Sequence, residues 1–398
     1  MRHPIRRLAL LFTLSSSAFL LGACEPQTAQ VAVVLPLSGE FQAYGESSRK
    51  GLELALDELN AEAPRFEAQW ADSSSDPETA ARKLNELFEA KSLVAIGGLT
   101  SKEAEAMIPV AEERERILLS PSALNSRLAA EARHFYRIAP SDHVAGNVMA
   151  DFLARKMKGM DTVVAIAQDE LALEGFEEGF RPTFEANGGT VKGVVQADPE
   201  GLSDTVSEAI GATPDVVYLA GYGTAVGDVL KELRRQRFKG KILTDQTLAS
   251  PAAIQQIGKD AVGVLLTHSV MDAEINEKAR NFSESFEARY GEKPDIFAAE
   301  AYDTMMVVAR ALRDRPAYPG ELQRGLRDDV KDFPGVTGTI EFNATGSVTK
   351  YPRVYSVAKN LSLQDEGRRL EAEEALRQER IRKIREKLKK VQDGQAAG

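Results

Sequence analysis

Residues 94–125 constrain the fold of this chain more than any other stretch. The apolar runs VAI (94–96) and ILL (117–119) each break into glycine or hydroxyl residues, as buried strands do where they end in a loop. The interval between them, 102–115, has a helical pattern and the length of one crossover. Such a connection places two strands side by side and parallel. The sequence therefore predicts that the loops after both runs lie together at one edge of a sheet.

The residues of these two loops are candidates for binding a ligand. Thr100 and Ser101 follow the first run, and Ser122 and Ala123 follow the second. Open α/β sheets bind ligands beyond the carboxyl ends of their strands, where hydroxyls, backbone groups and a helix N-terminus can hold an anion. A single loop of this kind could equally hold ordinary residues before a helix. Two loops that converge on one crevice favour a binding site.

Strand and helix patterns alternate along most of the chain. Asp76 followed by Pro77 predicts a helix start, with an N-cap residue before a proline at the first helical position. The alternation predicts an α/β fold of doubly wound parallel sheets with right-handed crossovers. Near the end, 338–342 and 347–350 flank a four-residue loop and predict a hairpin. The other predicted strands are 31–35, 66–71, 163–167, 190–195, 216–220, 242–244, 262–267 and 353–357.

The N-terminus has the features of an export signal. Arg2, Arg6 and Arg7 precede an apolar stretch at 8–21, which is shorter than the roughly 20 residues of a membrane span. The tetrapeptide LGAC that follows resembles a bacterial lipobox. The resemblance implies that Cys24, the one cysteine of the chain, is acylated and anchors the protein to a membrane outside the cytoplasm. The predicted segments are a signal peptide at 1–23 and a polar tether at 24–30.

Composition and motifs exclude several classes of function. The chain has 398 residues, enough for two lobes, and a formal net charge of −10. Nucleic-acid binding needs clustered lysine and arginine, so we expect no nucleic-acid partner. His134, His143 and His268 have no metal-ligand spacing, and no nucleophile elbow or P-loop occurs. The sequence predicts neither an enzyme nor a metal or cofactor site.

The last segment, 361–398, has a different character. Its apolar residues keep an interrupted helical spacing, and its basic residues concentrate at 377–390. The pattern predicts a charged helix exposed to solvent. A short coiled coil or a basic helix against an anionic surface remain the alternatives.

The order of motifs between residues 31 and 360 resembles the substrate-binding proteins of ABC importers, in the branched-chain amino acid family with the type I periplasmic binding fold. The resemblance implies two lobes joined by three crossovers, with a small ligand between them. Lobe one would hold 31–142 and 270–352, and lobe two 143–269 and 353–360. The matching pieces are VAVVLPLSGEFQAYGESSRKGLELALDELN (31–60), DSSSDPETAARKL (72–84), VAIGGLTS (94–101), ILLSPSALN (117–125), VVYLAGYG (216–223), FAAEAYDTMMVVARAL (297–312) and GVTGTIEFNATGSV (335–348).

The same resemblance assigns ligand-binding roles in lobe one. The family's serine that holds the ligand carboxylate is matched by Ser101, with Thr100 beside it. The loop matched by 120–125 gives backbone contacts, for which Ala123 is the candidate and Ser122 a neighbour. An aromatic residue matched by Tyr44 covers the ligand.

Lobe two would complete the site. Tyr222 faces the ligand, and an acidic residue matched by Asp245 pairs with the ligand's ammonium. A register without a gap places Gln246 at that position instead. A zwitterion withdrawn from water needs donors at one end and a carboxylate at the other, because an unpaired buried charge is costly.

The chain departs from the family pattern at two points. Leu124 stands where the family commonly has threonine, and Ala172 with Leu173 replaces a tyrosine–glycine pair after Asp169. Both changes make the pocket less polar or more open. They favour a larger or less polar ligand over a standard branched-chain amino acid, and the loss of a ligand is the other interpretation.

The sequence thus predicts a membrane-tethered solute-binding lipoprotein that delivers a small, amino-acid-like ligand to an ABC permease. One alternative is an interaction lipoprotein that regulates a cell-wall enzyme, as penicillin-binding-protein activators do. Another is a ligand sensor for a receptor.

Overall fold

The computed structural model describes residues 28–61 and 65–396, with 384–396 as backbone only. The predicted signal peptide and the lipidation site at Cys24 lie outside the described residues. Residues 29 and 30, which the predicted tether included, belong to the first strand, because this strand pairs with its neighbour from residue 29 onward. Within the described residues, no helix is both long and apolar enough to span a membrane.

Within the described part of the chain, fourteen strands form two large sheets and one small one. They are β1 (Ala29–Leu35), β2 (Phe66–Asp72), β3 (Val94–Gly97), β4 (Ile117–Ser120), β5 (Phe135–Arg137), β6 (Thr162–Ala167), β7 (Thr190–Gln196), β8 (Val216–Ala220), β9 (Lys241–Thr244), β10 (Leu265–His268), β11 (Phe333–Gly335), β12 (Gly338–Ile340), β13 (Arg353–Val357) and β14 (Leu363–Asp365).

The helices cover the faces of the two large sheets. They are α1 (Gln42–Leu59), α2 (Pro77–Glu89), α3 (Ser101–Glu113), α4 (Ser126–Ala130), α5 (Asp142–Lys156), α6 (Glu170–Gly175), α7 (Arg181–Ala186), α8 (Leu202–Gly211), α9 (Gly223–Arg235), α10 (Pro251–Ile257), α11 (Glu277–Tyr290), α12 (Ile296–Ala311), α13 (Pro319–Asp328) and α14 (Glu366–Ala396).

The first sheet is entirely parallel, in the order β2-β1-β3-β4-β5. Strands β3 and β4 are neighbours with Val94 opposite Ile117, and α3 connects them, which confirms the prediction from residues 94–125. Asp76 accepts a hydrogen bond from the backbone N–H of Thr79 and begins α2, again as predicted. The loops after β3 and β4 therefore meet at one edge of this sheet.

The second sheet is mixed, in the order β14-β13-β10-β9-β8-β6-β7. Strands β6 to β10 are parallel, whereas β13 runs antiparallel to β10 and β14 antiparallel to β13. The chain passes between the two sheets after β5, after β10 and before β13. These three passages confirm the predicted α/β fold with two lobes and three crossovers.

Helices α1 and α12 pack closely on the first sheet and carry aromatic residues toward its edge. Gly51 of α1 makes the approach possible, because a Cβ atom there would lie 2.0 Å from the carbonyl oxygen of Ala298. The close crossing brings Tyr44 on α1 beside Phe297 on α12, with ring centroids 4.7 Å apart. Burial of both aromatic rings stabilises this corner of the lobe.

The predicted hairpin at 338–350 is confirmed next to its loop. Phe342 and Val348 form an antiparallel bridge, and the backbone N–H groups of Asn343 and Thr349 donate to the carbonyl oxygens of Ser347 and Glu341. The start of the segment, 338–340, pairs instead as β12 with β11, and Asp303 fixes the turn between them by accepting the backbone N–H groups of Val336 and Thr337 at 2.8 Å. The loop also contacts β5, since the backbone N–H of Arg137 donates to the carbonyl of Gly346.

The C-terminal segment begins as part of the second sheet, not at a boundary at residue 361. Strand β14 pairs with β13 before α14 starts. Buried Glu366 accepts hydrogen bonds from Ser356 and Arg369, and Arg368 forms ion pairs with Asp272 and Glu274. Residues 371–380 are all exposed, so this part of α14 is the predicted charged helix, and the first turn anchors it to the second sheet.

Candidate ligand-binding site

A cavity lies where elements of the two sheets face each other. Its empty volume is about 420 Å³, which includes space open to solvent. The walls come from the loops after β3, β4, β8 and β9 together with the starts of α1 and α12. The lining residues are Phe41, Tyr44, Leu99, Thr100, Ser101, Ser122, Leu124, Tyr222, Gly223, Gln246, Thr247 and Phe297.

Ser101 is held as a hydrogen-bond donor at the start of α3. Its side chain is buried, and its Oγ accepts the backbone N–H groups of Leu124 at 3.3 Å and Asn125 at 3.1 Å. A hydroxyl has one hydrogen to donate and two lone pairs. Because both acceptor positions are used, the hydroxyl hydrogen is the part of Ser101 left for a ligand.

Thr100 is the N-cap of α3. Its Oγ1 accepts the N–H of Glu103 at 3.2 Å, and the Glu103 carboxylate reaches back to the N–H of Thr100 in a capping box. Burial raises the pKa of Glu103, which also accepts a hydrogen bond from Ser73. The cap stabilises the first turn of α3, whose N-terminus carries a partial positive charge toward the cavity edge.

The residues of the loop after β4 differ in what they present to the cavity. The Oγ of Ser122 donates to the carbonyl oxygen of Leu99 at 2.9 Å, so that hydroxyl hydrogen is already used. Ala123 is fully buried behind the lining, and its N–H donates to the Oγ of Ser120. Leu124 lines the cavity instead and presents an apolar surface there.

Tyr44 reaches across the cavity from α1. Its hydroxyl donates to the carbonyl oxygen of Thr247 at 2.9 Å, which joins the lobe of the first sheet to the loop after β9. Burial raises the pKa of Tyr44, so its hydroxyl keeps its proton at neutral pH. The ring packs edge-on against Phe297 and forms an apolar wall.

Tyr222 stands opposite, at the start of α9. It is buried, and its backbone N–H donates to the Oε1 of Gln168 at 2.7 Å. The next residue, Gly223, has a φ of +56°, and a Cβ atom there would lie 2.7 Å from the Phe41 ring. Only glycine permits so close an approach of the two lobes at this point.

Further contacts between the lobes surround the cavity. Lys102 and Asp169 form an ion pair at 2.6 Å, and the side-chain amide of Asn125 donates to Glu174 at 2.9 Å and to the carbonyl of Leu171. These contacts occupy the region where Ala172 and Leu173 replace the aromatic residue of the family pattern. The lobes are therefore closed around the cavity.

The loop after β9 presents Gln246, not Asp245, to the cavity. Asp245 accepts hydrogen bonds from the backbone N–H of Thr247 at 2.9 Å and from its hydroxyl at 2.6 Å, and burial raises the pKa of Asp245. Gln246 is buried and donates its Nε2 to Glu300 at 2.6 Å. Burial also raises the pKa of Glu300, which lies beneath Gln246 and accepts a second bond from Ser269.

Sequence reasoning missed the apolar part of the lining. Phe41 precedes Tyr44 by three residues, so the two lie about one helical turn apart, and that spacing was the available signal. Leu99 lies inside the recognised loop, where the prediction singled out only its hydroxyl residues. Phe297 and Thr247 reach the cavity through tertiary packing, and no local pattern marks them.

The chemistry of the site is that of binding. Among the lining residues of the described chain, no side chain is charged. The described residues also contain no group of three or more histidine, cysteine, aspartate or glutamate side chains arranged for a metal ion. The cavity combines hydroxyl and amide groups at its ends with aromatic and aliphatic walls.

Comparisons with known proteins agree with this architecture. The family model described as "Periplasmic binding protein" matches residues 28–360. A leucine-, isoleucine-, valine-, threonine- and alanine-binding protein of Pseudomonas aeruginosa is 22% identical over 362 residues, 88% of this chain and 95% of the relative.

Two solved structures are similar over 85% of this chain. A leucine-binding protein from Thermotoga maritima is 25% identical, with a TM-score of 0.78 over 98% of its length. An ABC-transporter solute-binding protein from R. palustris, in complex with benzoate, is 20% identical, with a TM-score of 0.76 over 95% of its length.

Proposed function

This chain belongs to the periplasmic binding proteins of the branched-chain amino acid family, and from that premise we propose that it is the solute-binding lipoprotein of an ABC importer. It captures a small ligand between its lobes and delivers it to a permease. The observation that carries the proposal is the Ser101 hydroxyl, held as a donor in a cavity that Tyr44 and Tyr222 cover from opposite lobes. Hinge closure of two lobes around a ligand is a known form of capture.

The lobes of the proposed binding cycle are 31–142 with 270–352, and 143–269 with 353–360. Each lobe supplies part of the cavity wall, so opening exposes the site and closing removes the ligand from water. The contacts Tyr44 to Thr247 and Lys102 to Asp169 form only on closure, and they contribute to the closed state with or without ligand.

The ligand in this proposal is a small carboxylate, amino-acid-like in size. The P. aeruginosa relative is named for binding amino acids, and the R. palustris structure holds benzoate, so both classes belong in a first screen. An acylated Cys24 tethers the protein to the membrane. Metabolic labelling with radioactive palmitate tests the tether: the label should enter the wild-type protein and be lost in Cys24→Ser.

A thermal-shift screen of the purified protein in detergent tests capture itself. A ligand present at 100 times its Kd stabilises the protein by about 2.7 kcal/mol, which gives a clear rise in Tm. We expect amino acids, aliphatic acids or aromatic acids to give such a rise. If none does so while the protein unfolds cooperatively, capture is refuted, and the exposed α14 would favour the interaction-lipoprotein alternative.

A further inference from the structure

Several polar groups around the cavity already form hydrogen bonds within the protein. The carbonyl oxygen of Leu99 accepts from Ser122, and that of Thr247 accepts from Tyr44. The carbonyl oxygen of Gly221 accepts from the Thr247 hydroxyl at 3.3 Å. Each of these carbonyl oxygens accepts one hydrogen bond from the protein and keeps one lone pair, which as a neutral acceptor cannot compensate the charge of an ammonium group.

One hydrogen-bond donor among the lining residues remains for a ligand. The Oγ of Ser101 accepts two backbone N–H groups, so both of its lone pairs are used and its hydroxyl hydrogen is left to donate to the ligand. The same residue begins the 13-residue helix α3, so the positive end of the helix dipole lies beside it. One end of the cavity therefore suits a carboxylate.

Around Gln246, none of the side chains that line the described cavity is charged. Gln246 replaces the acidic residue of the family pattern in the register without a gap, and a neutral amide cannot compensate an ammonium group. Asp245 instead accepts hydrogen bonds from the backbone N–H and the hydroxyl of Thr247 and so caps the following helical turn. Glu300 lies beneath Gln246 and holds its amide nitrogen, so the cavity receives only the amide of Gln246.

The remaining walls are apolar. Phe41, Leu99, Leu124 and Phe297 surround the space between the two polar ends. Burial of a hydrocarbon or aromatic body against these side chains is favourable, while an unpaired ammonium there would lose its hydration.

We propose that the ligand is a monocarboxylate with an aromatic or branched aliphatic body and no ammonium group. The proposal rests on the proposed function and names its substrate class. Ser101 and the N-terminus of α3 hold the carboxylate, the apolar walls hold the body, and Gln246 excludes an α-amino acid by leaving its ammonium without a partner.

The test compares pairs of ligands that differ only in the ammonium group. Calorimetry on the full-length protein in detergent measures the Kd of 4-methylpentanoate against leucine, and of 3-phenylpropanoate against phenylalanine. The expected result is that the member without the ammonium binds about 100-fold more tightly, because an unpaired buried charge costs several kcal/mol and each 1.4 kcal/mol is tenfold.

The outcomes separate this inference from the proposed function. Leucine or phenylalanine binding as tightly as its partner overturns the inference and leaves capture intact. If the folded protein binds no member of either pair, this inference fails, and the wider thermal-shift panel decides separately whether capture stands.

An exchange of two side chains tests the role of residue 246. Gln246→Glu combined with Glu300→Gln keeps the hydrogen bond between the two positions, places the carboxylate in the wall and should reduce the preference for the member without the ammonium at least tenfold. An unchanged preference in the folded double variant overturns the assignment to Gln246. Circular dichroism checks that the variant is folded. The ratios of Kd measured for the wild-type protein test the ligand class even if the variant does not fold.

Discussion

The two serines of the cavity provide a matched test of how the site holds an anion. Ser101 and Ser122 both line the cavity and both are buried, so truncation to alanine removes the same atom in the same surroundings. They differ in where the hydroxyl hydrogen goes. Ser122 donates it to the carbonyl of Leu99, whereas Ser101 accepts two backbone N–H groups and keeps its hydrogen for a ligand.

The expected magnitudes follow from that difference. A hydrogen bond to a charged group contributes about 1.5–3 kcal/mol, so Ser101→Ala should weaken carboxylate binding by about 10- to 150-fold. Ser122→Ala removes a bond inside the protein and should change the Kd less than about threefold. In the ligand-free protein, Ser101→Ala also leaves the N–H groups of Leu124 and Asn125 without that acceptor, at a cost of about 1–3 kcal/mol each.

Calorimetric titration of wild type and both variants with 3-phenylpropanoate measures the two changes in Kd. Thermal melts of the ligand-free proteins measure the stability cost separately. The reasoning is refuted if Ser101→Ala binds within threefold of wild type, or if Ser122→Ala loses as much affinity as Ser101→Ala.

Three further predictions concern the rest of the structure. Asp303→Ala removes the acceptor of two buried backbone N–H groups and should lower the free energy of unfolding, measured in urea, by about 3–6 kcal/mol. The control Asp314→Ala changes an exposed carboxylate and should alter the free energy of unfolding by less than about 0.5 kcal/mol. A double-mutant cycle on Lys102 and Asp169 should give a coupling of only about 0.2–1 kcal/mol in ligand affinity, because the pair is partly exposed; a larger value would mean that it controls closure. Burial lowers the pKa of His268 from 6.5 to about 4. The unfolded chain therefore binds a proton at a higher pH than the folded protein, and stability on the order of 3 kcal/mol is lost as pH falls from 6.5 toward 4. His268→Gln should flatten that part of the plot of urea midpoint against pH, and an unchanged plot would mean that another group causes the loss of stability.

Local sequence patterns were sufficient for the elements that build the edge of the first sheet. The apolar runs at 94–96 and 117–119, separated by one helix, predicted two parallel neighbours, and β3 and β4 are adjacent. The cap at Asp76 is likewise a local signal, because an N-cap residue and a proline act within one turn. These features depend on residues close in sequence, so the pattern alone decides them.

Pairing between distant segments could not be read in the same way. The predicted hairpin at 338–350 forms next to its loop, but no local pattern indicated that 338–340 pair with β11, where Asp303 fixes the turn. Strands β5 and β14 were missed because each has only three residues and no periodicity. Their hydrogen-bond partners lie far away in the chain, and only the assembled sheet specifies them.

The sequence by itself determined the family, the alternation of the longer strands and helices, and the two loops that carry Thr100, Ser101 and Ser122. It left open whether Asp245 or Gln246 faces the cavity, and only the tertiary structure decided in favour of Gln246. The physical reason is that side-chain direction at adjacent positions depends on competing partners. Thr247 binds one side chain and Glu300 the other, and those partners come together only when the lobes and α12 have packed.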